Sequence, residues 1–173
     1  MFKLRLMATA VLFHENDLLM MKRSPNRTLS PGMWAGIGGH LEQHEIGDPR
    51  AACLREIEEE TGLSAGDIPH LKLQYVLIRL NGNEIRQQFV YIGQTNRRDV
   101  GTTDEGELHW IPRERIFGRE IPFVFRELLN HYLTNGPSDH VWIATASLQD
   151  TENEAGPKRQ PAMIWTPMLD PLT

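Results

Sequence analysis

Residues 55–63 read REIEEETGL, and four of the nine are glutamates: Glu56, Glu58, Glu59 and Glu60. Carboxylates are hard oxygen donors and suit Mg²⁺ or Mn²⁺. Like charges three or four positions apart on a helix repel one another. The run is therefore either a solvated face or a place where a cation sits. On a helix of about 3.6 residues per turn, Glu56, Glu59 and Glu60 share one face with Ala52. Glu58 points elsewhere and is expected in solvent. Cys53, Leu54, Ile57 and Thr61 form the neighbouring, mostly apolar face. Arg55 complements Glu59 four positions on, whereas Glu56 and Glu60 are like charges at the same spacing. That local conflict favours a compensating cation.

The segment before it, GIGGHLEQHE at 36–45, places glycines ahead of the helix. There the backbone can approach a phosphate or a metal closely. No Gly-Lys-Ser/Thr follows, so it is not a phosphate loop, and Gly36-Ile37-Gly38-Gly39 lacks the dinucleotide spacing. His40 and His44, with Glu42 and Glu45 nearby, make a weaker zinc pattern. Cys53 is expected in the core without a partner base, and no serine sits in a Gly-x-Ser-x-Gly elbow.

These side chains need a scaffold. Asp48 suits an N-cap, Pro49 the first helical turn and Gly62 a left-handed stop, which predicts a helix from Asp48 to about Thr61. Residues 3–13 and 17–23 read as strands joined at 14–17. SPNRTLSPGM (24–33) is a loop, and WAGIGG (34–39) can turn tightly. Residues 70–80 and 85–95 read as a hairpin around Asn81-Gly82. ELHWIP (107–112) is another strand, and 122–134 a second helix ending near Asn135-Gly136. HVWIATASL (140–148) and PAMIWTPML (161–169) are strand-like, with a polar segment between them expected to be mobile. This order predicts an α/β or α+β fold, a mixed sheet covered by helices.

The chain of 173 residues suits one ordinary domain with an extension. We place the domain at 1–136 and the extension, a β-hairpin with a mobile polar loop, at 137–173. Apolar content of 40% and charged content of 24% describe a soluble globular protein. A net charge of −5 provides no basic stripe for a nucleic-acid polymer. The single cysteine excludes an intrachain disulfide framework and points to a reducing compartment, the cytoplasm. Lys3 and Arg5 before an apolar run faintly resemble a signal peptide, but the run reads better as a first strand. No stretch is long enough to span a membrane. A homodimer is left open.

Gly39, Glu45, then Arg55-Glu56-Ile57-x-Glu59-Glu60-x-Gly62-Leu63 resembles the Nudix box, G-x5-E-x7-R-E-U-x-E-E-x-G-U, where U is bulky and aliphatic. The resemblance extends over roughly residues 5–135. One departure is a spacer of nine residues, IGDPRAACL, between Glu45 and Arg55, where the family usually has seven. We assign the extra two to the loop at Ile46-Gly47, which spares the helix face. The resemblance implies a Nudix-type mixed sheet sandwiched between helices. It also implies metal-dependent hydrolysis of a nucleoside diphosphate linked to another group. Glu56, Glu59 and Glu60 would hold Mg²⁺, or Mn²⁺, helped by a backbone carbonyl of Gly38 or Gly39. Arg55 would orient the glutamates, and Glu59 would also serve the reaction directly. A further carboxylate outside the box, Glu105 first and Glu107 second, would complete the site as base or ligand. Substitution at phosphorus needs neutralised oxygens, an activated water and in-line approach, all of which metal ions supply.

The features that bear on the leaving group lie outside the box. Trp34 to His40 resembles the W-x-G-x-G-G-H/K stretch of nucleoside triphosphate members, including MutT-type sanitisers of oxidised purines, and Ile37 replaces the proline of many ADP-ribose and nucleotide-sugar members. Asp104-Glu105-Gly106-Glu107-x-x-Trp110 also looks like the triphosphatase group. Ala35 departs from the base-contacting asparagine of some oxidised-purine enzymes. Lys22, Arg23 and Arg27 could meet phosphates or be ordinary surface charge, and Gly38 the rest of the nucleotide; Trp34 could meet the nucleotide, anchor the loop or, the favoured reading, pack in the core. Phe123 and Phe125 could line a base pocket or simply fill the core. The expected reaction converts a (d)NTP, oxidised or not, to a monophosphate and pyrophosphate. Alternatives are a nucleotide-sugar or dinucleotide pyrophosphatase and a non-catalytic nucleotide-binding module. Trp142 and Trp165 would belong to extra sheet, a dimer interface or a lid.

Overall fold

Strand β1 (Lys3–His14) sends Ala8, Ala10 and Leu12 into one hydrophobic cluster and Val11 and Phe13 into another. This alternation is the strand period of two, and it requires cover on both faces. A computed structural model describes residues 1–26, 30–153 and 156–172. Arg27, one of the expected phosphate contacts, lies outside the described residues.

The cover comes from two helices. Helix α1 (Pro49–Thr61) contributes Ala52, Cys53 and Ile57 to the cluster of Ala8, Ala10 and Leu12. Helix α2 (Phe123–Asn135) contributes Leu128 and Leu129 to the cluster of Val11 and Phe13. Between them lies a mixed sheet. The remaining strands are β2 (Asp17–Arg23), β3 (Trp34–Ala35), β4 (Ile37–His40), β5 (Lys72–Asn81), β6 (Glu84–Gln94), β7 (Gly106–Pro112), β8 (Val141–Asn153) and β9 (Gly156–Met168). Their order is β3-β2-β1-β6-β5-β8-β9, with β4 also paired to β1 and β7 to β2. The β1–β6 and β5–β8 pairs are parallel, and the others are antiparallel. This is the expected α+β architecture. Among the described residues no helix is long and apolar enough to cross a membrane.

Helix α1 starts and stops where its sequence dictates. The Asp48 side chain accepts a hydrogen bond from the Ala51 N–H at 3.2 Å, and Pro49 occupies the first turn. Gly62 closes the helix in the left-handed conformation, donating to Glu58 O at 2.9 Å. Ahead of the cap, Gln43–Glu45 form a 3-10 turn, and Ile46 and Gly47 are exposed. Ile46 and Gly47, to which the longer spacer is assigned, thus lie in solvent ahead of the Asp48 cap and outside the helix.

The tail differs from its sequence reading. β8 and β9 pair continuously from Val141↔Met168 to Asn153↔Gly156, so the polar segment between the two apolar stretches is strand over its described residues. Cross-strand pairing absorbs polar residues that have no core to enter. Trp165 stacks on His131 of α2 with ring centroids 4.1 Å apart, and Trp142 meets the same ring edge-on at 4.9 Å. The Tyr75 hydroxyl lies 3.1 Å from His131 Nδ1. Both tryptophans thus extend the core cluster along added sheet. Pro161 and Pro167 fall in the same phase of β9. A paired strand tolerates them only where the missing N–H would face its open edge, which blunts that edge against further pairing.

Candidate active site

Arg55 is the hub of the acidic helix. Its Nε and Nη2 clamp the Glu45 carboxylate at 2.8 and 3.0 Å. Nη1 reaches Glu56 at 2.9 Å and Glu59 at 3.0 Å, and Nη2 also reaches His40 O at 3.1 Å. These contacts use all five donors of the guanidinium. Glu45 is buried, only 4% exposed, and the arginine holds its carboxyl down at about 2. The same carboxylates raise Arg55 above its already high value.

The glycines bring β4 against this helix. A Cβ on Gly39 would sit 2.5 Å from a Glu56 carboxylate oxygen. At Gly38, φ is 141° and a Cβ would collide with Ala8 O, so only glycine fits. The Gly38 N–H donates to Glu60 Oε2 at 3.0 Å. Glu60 is 6% exposed. Burial pushes its carboxyl up to about 8, with Glu105 and Glu56 adding repulsion and Arg23 and the Gly38 bond opposing. Burial also raises Glu56, against the pull of Arg55.

Above these groups lies an open cleft of about 560 Å³ lined by Arg5, Arg23, Gly38, Gly39, Glu56 and Glu105, among others. A second cavity of about 120 Å³ adjoins it, sharing Met7, Arg23 and Gly38. Thr9, Ala35, Gln88 and Phe125 line that cavity, and Gln88 Nε2 donates to Thr9 Oγ1 at 2.7 Å.

A divalent cation fits this donor set. The donors are all oxygens, two of the carboxylates resist ionisation through burial, and Arg55 has no donor left for Glu60. As the side chains stand, Glu56 and Glu59 turn to Arg55 and Glu60 turns to Gly38. Among the described residues no three metal-ligating side chains converge on one point. Holding a cation there requires Glu56 and Glu59 to swing away from Arg55.

Arg55, Glu56, Glu60, Gly38 and Gly39 come together, and Glu105 and Arg23 face them across the cleft. Glu59 joins through Arg55 with its side chain 59% exposed, and Glu58 is exposed as the wheel predicts. Glu107 is exposed on β7 beside His109 at 3.4 Å, outside the cleft lining. Lys22 is a correction: strand alternation turns Arg23 into the cleft and leaves Lys22 exposed outside it. Trp34 takes the core alternative and not the nucleotide one: it packs against the core cluster, 5.3 Å from the His109 ring and under Arg119 at 4.9 Å, and does not line either cavity. The zinc pattern dissolves, because His40 Nε2 accepts from Arg5 at 2.8 Å, His44 sits beside Glu42 and Glu45 is taken by Arg55. Cys53 is buried, its thiol pushed up to about 12 by burial. Phe125 lines the second cavity, whereas Phe123 lies in an apolar recess with Leu80 and Leu148.

Sequence reasoning missed the clamp formed by Glu45 and the arginines Arg5, Arg86 and Arg79 around the cleft. A hairpin count would have found one pair: with β5 ending at Asn81 and β6 starting at Glu84, Arg79 must face Arg86.

The family model described as NUDIX domain matches residues 3–132. Among solved structures, the chain is similar to a MutT protein from Bacillus halodurans, with 15% identity, a TM-score of 0.68 and coverage of 92% of this chain and 97% of that one. It is also similar to a MutT protein from Methanosarcina mazei, with 22% identity, a TM-score of 0.64 and coverage of 79% and 98%. A C. elegans Ap4A hydrolase follows with 16% identity, a TM-score of 0.60 and coverage of 75% and 96%. At these identities the three structures speak for the fold.

Proposed function

The chain belongs to the Nudix family, hydrolases that act on nucleoside diphosphate derivatives, and from that premise we propose that it converts a (d)NTP to a monophosphate and pyrophosphate. Mg²⁺, with Mn²⁺ as the alternative, is the proposed cofactor. Oxidised or non-standard nucleotides of the cytoplasmic pool are the proposed targets, which would make the enzyme a sanitiser. We assign the hydrolase to residues 1–136 and treat 137–173 as an extension that widens the sheet.

One observation carries the reading. Glu60 is a buried carboxylate beside Glu56, and the five donors of the nearby Arg55 guanidinium are all engaged elsewhere. Ionising a buried carboxylate held by one backbone N–H, with Glu56 and Glu105 repelling it, is costly, so the site favours a cation. When bound, a divalent ion supplies charge neutralisation at the phosphate oxygens and a more acidic water. Glu56 and Glu60 are its proposed ligands, with Glu59 and the Gly39 carbonyl. Arg55 positions these carboxylates. Glu105, across the cleft, is the proposed base or further ligand. Arg23 and the Gly38 backbone are proposed to meet the phosphates.

A substrate panel tests this, with pyrophosphate and orthophosphate read out separately in Mg²⁺. Pyrophosphate from nucleoside triphosphates supports the reading. Turnover confined to nucleotide sugars or dinucleotides would move it to that class. Nucleotide binding in calorimetry without any product would leave a binding module.

A further inference from the structure

Strands β1, β6 and β5 lie side by side, and their register places Arg5 opposite Arg86 and Arg86 opposite Arg79. Three guanidinium groups thus stand in one row across neighbouring strands about 4.8 Å apart. Like charges directly opposite destabilise a sheet. The row has one carboxylate: Glu84 accepts from Arg5 Nε at 2.7 Å and from Arg86 Nε at 2.6 Å. Each arginine spends one of five donors on it. Arg5 Nη1 also meets His40 Nε2. Among the described residues Arg79 makes no hydrogen bond or ion pair, and the terminal nitrogens of Arg86 make none. The Glu84 and Arg86 side chains are only 13% and 14% exposed, and that of Arg5 43%. Arg5 and Arg86 line the cleft that holds Glu56 and Glu105, and Arg79 lines the adjoining cavity.

We infer that Arg5, Arg86 and Arg79 form an oxyanion subsite for a phosphoryl group outside the diphosphate that the carboxylates engage through metal. The inference rests on the hydrolase reading for its substrate, and it narrows that substrate. A chain of three or more phosphates fills both the acidic site and the arginine row. A diphosphate joining two neutral groups leaves the row without an anion. The guanidinium fork matches phosphate oxygens in two-bond geometry, so the row discriminates by phosphate count and not by base.

The test is calorimetry on the full chain with Mg²⁺ and two non-hydrolysable ligands that share one nucleoside, an α,β-methylene triphosphate and an α,β-methylene diphosphate. The triphosphate analogue should bind at least about tenfold tighter, since hydrogen bonds to charged groups are worth that much. Arg79→Gln and Arg86→Gln should each remove most of that difference and leave the diphosphate affinity within about twofold, while Arg86→Lys retains part of it. Arg79→Gln removes no ion pair among the described residues, so its fold is not at stake, and thermal unfolding checks both variants. Equal affinity for the two analogues, or an unchanged ratio in folded variants, overturns the subsite. A lost ratio in a chain that turns over no nucleotide keeps the subsite and rejects the hydrolase reading.

Discussion

Two clusters of like charge face one cleft, and they are built on opposite plans. On α1 the glutamates gather around a single arginine whose five donors are all spent. On the sheet three arginines gather around a single glutamate that binds two of them once each. The acidic cluster is tightly tied to Arg55 and leaves one buried carboxyl, Glu60, outside that clamp. The basic cluster is loosely tied and leaves most of its donors over. A fixed, buried carboxylate suits a small cation of demanding geometry. A row of spare donors suits an anion whose length varies. On the proposed reading, the helix carries the chemistry and the sheet the substrate selection.

The strongest way to break the contrast is at Glu60. Glu60→Gln should cost on the order of 10³ in metal-dependent turnover, the scale set by losing one preorganised electrostatic group, while the protein stays folded. Steady-state kinetics beside circular dichroism measure both. Glu45→Gln acts on the plan itself, because it strips Arg55 of its buried partner. It should destabilise by about 2–4 kcal/mol in urea titration, somewhat below a fully orphaned pair because Glu56 and Glu59 remain. Arg55→Lys should lose part of the same stability, since a lysine cannot make five bonds.

The two buried carboxylates should also respond to pH in opposite senses. Glu45, held down at about 2, adds stability that is present above the ordinary carboxylate range and lost as pH falls toward 2. Glu60, pushed up to about 8, costs nothing when protonated and destabilises the metal-free protein as pH rises from its ordinary value of 4.5 toward 8. Added Mg²⁺ should therefore raise the melting temperature more at pH 8 than at pH 5.5. An equal gain at both would remove the cation from Glu60. The smallest effect belongs to Cys53, which should resist thiol reagents at pH 8 until the protein unfolds, with activity unchanged.

Much of the acidic half was legible in the sequence because its information is local. Asp48, Pro49 and Gly62 fix the helix ends, and the spacing of Glu56, Glu59 and Glu60 fixes a face. The cleft wall was not legible because β1 and β6 are parallel neighbours, separated by most of the domain in sequence, and no local pattern sets their register. Lys22 was misplaced, and Trp34 left between core and nucleotide, for a related reason. A strand pattern gives alternation but not which face meets the cleft, and the pairing of β2 with β3 and β7 decided that. The tail ran on as strand through polar residues because partner strands, not hydrophobicity, hold β8 and β9 together.

The central claim is that the buried carboxylates of α1 run phosphoanhydride chemistry on nucleotides. Its most direct measurement is product analysis of nucleoside triphosphates incubated with the wild-type chain and with Glu60→Gln in Mg²⁺. The account predicts monophosphate and pyrophosphate in equal amounts from the wild type and almost none from the variant. Orthophosphate as the product, or full pyrophosphate release by folded Glu60→Gln, would contradict it.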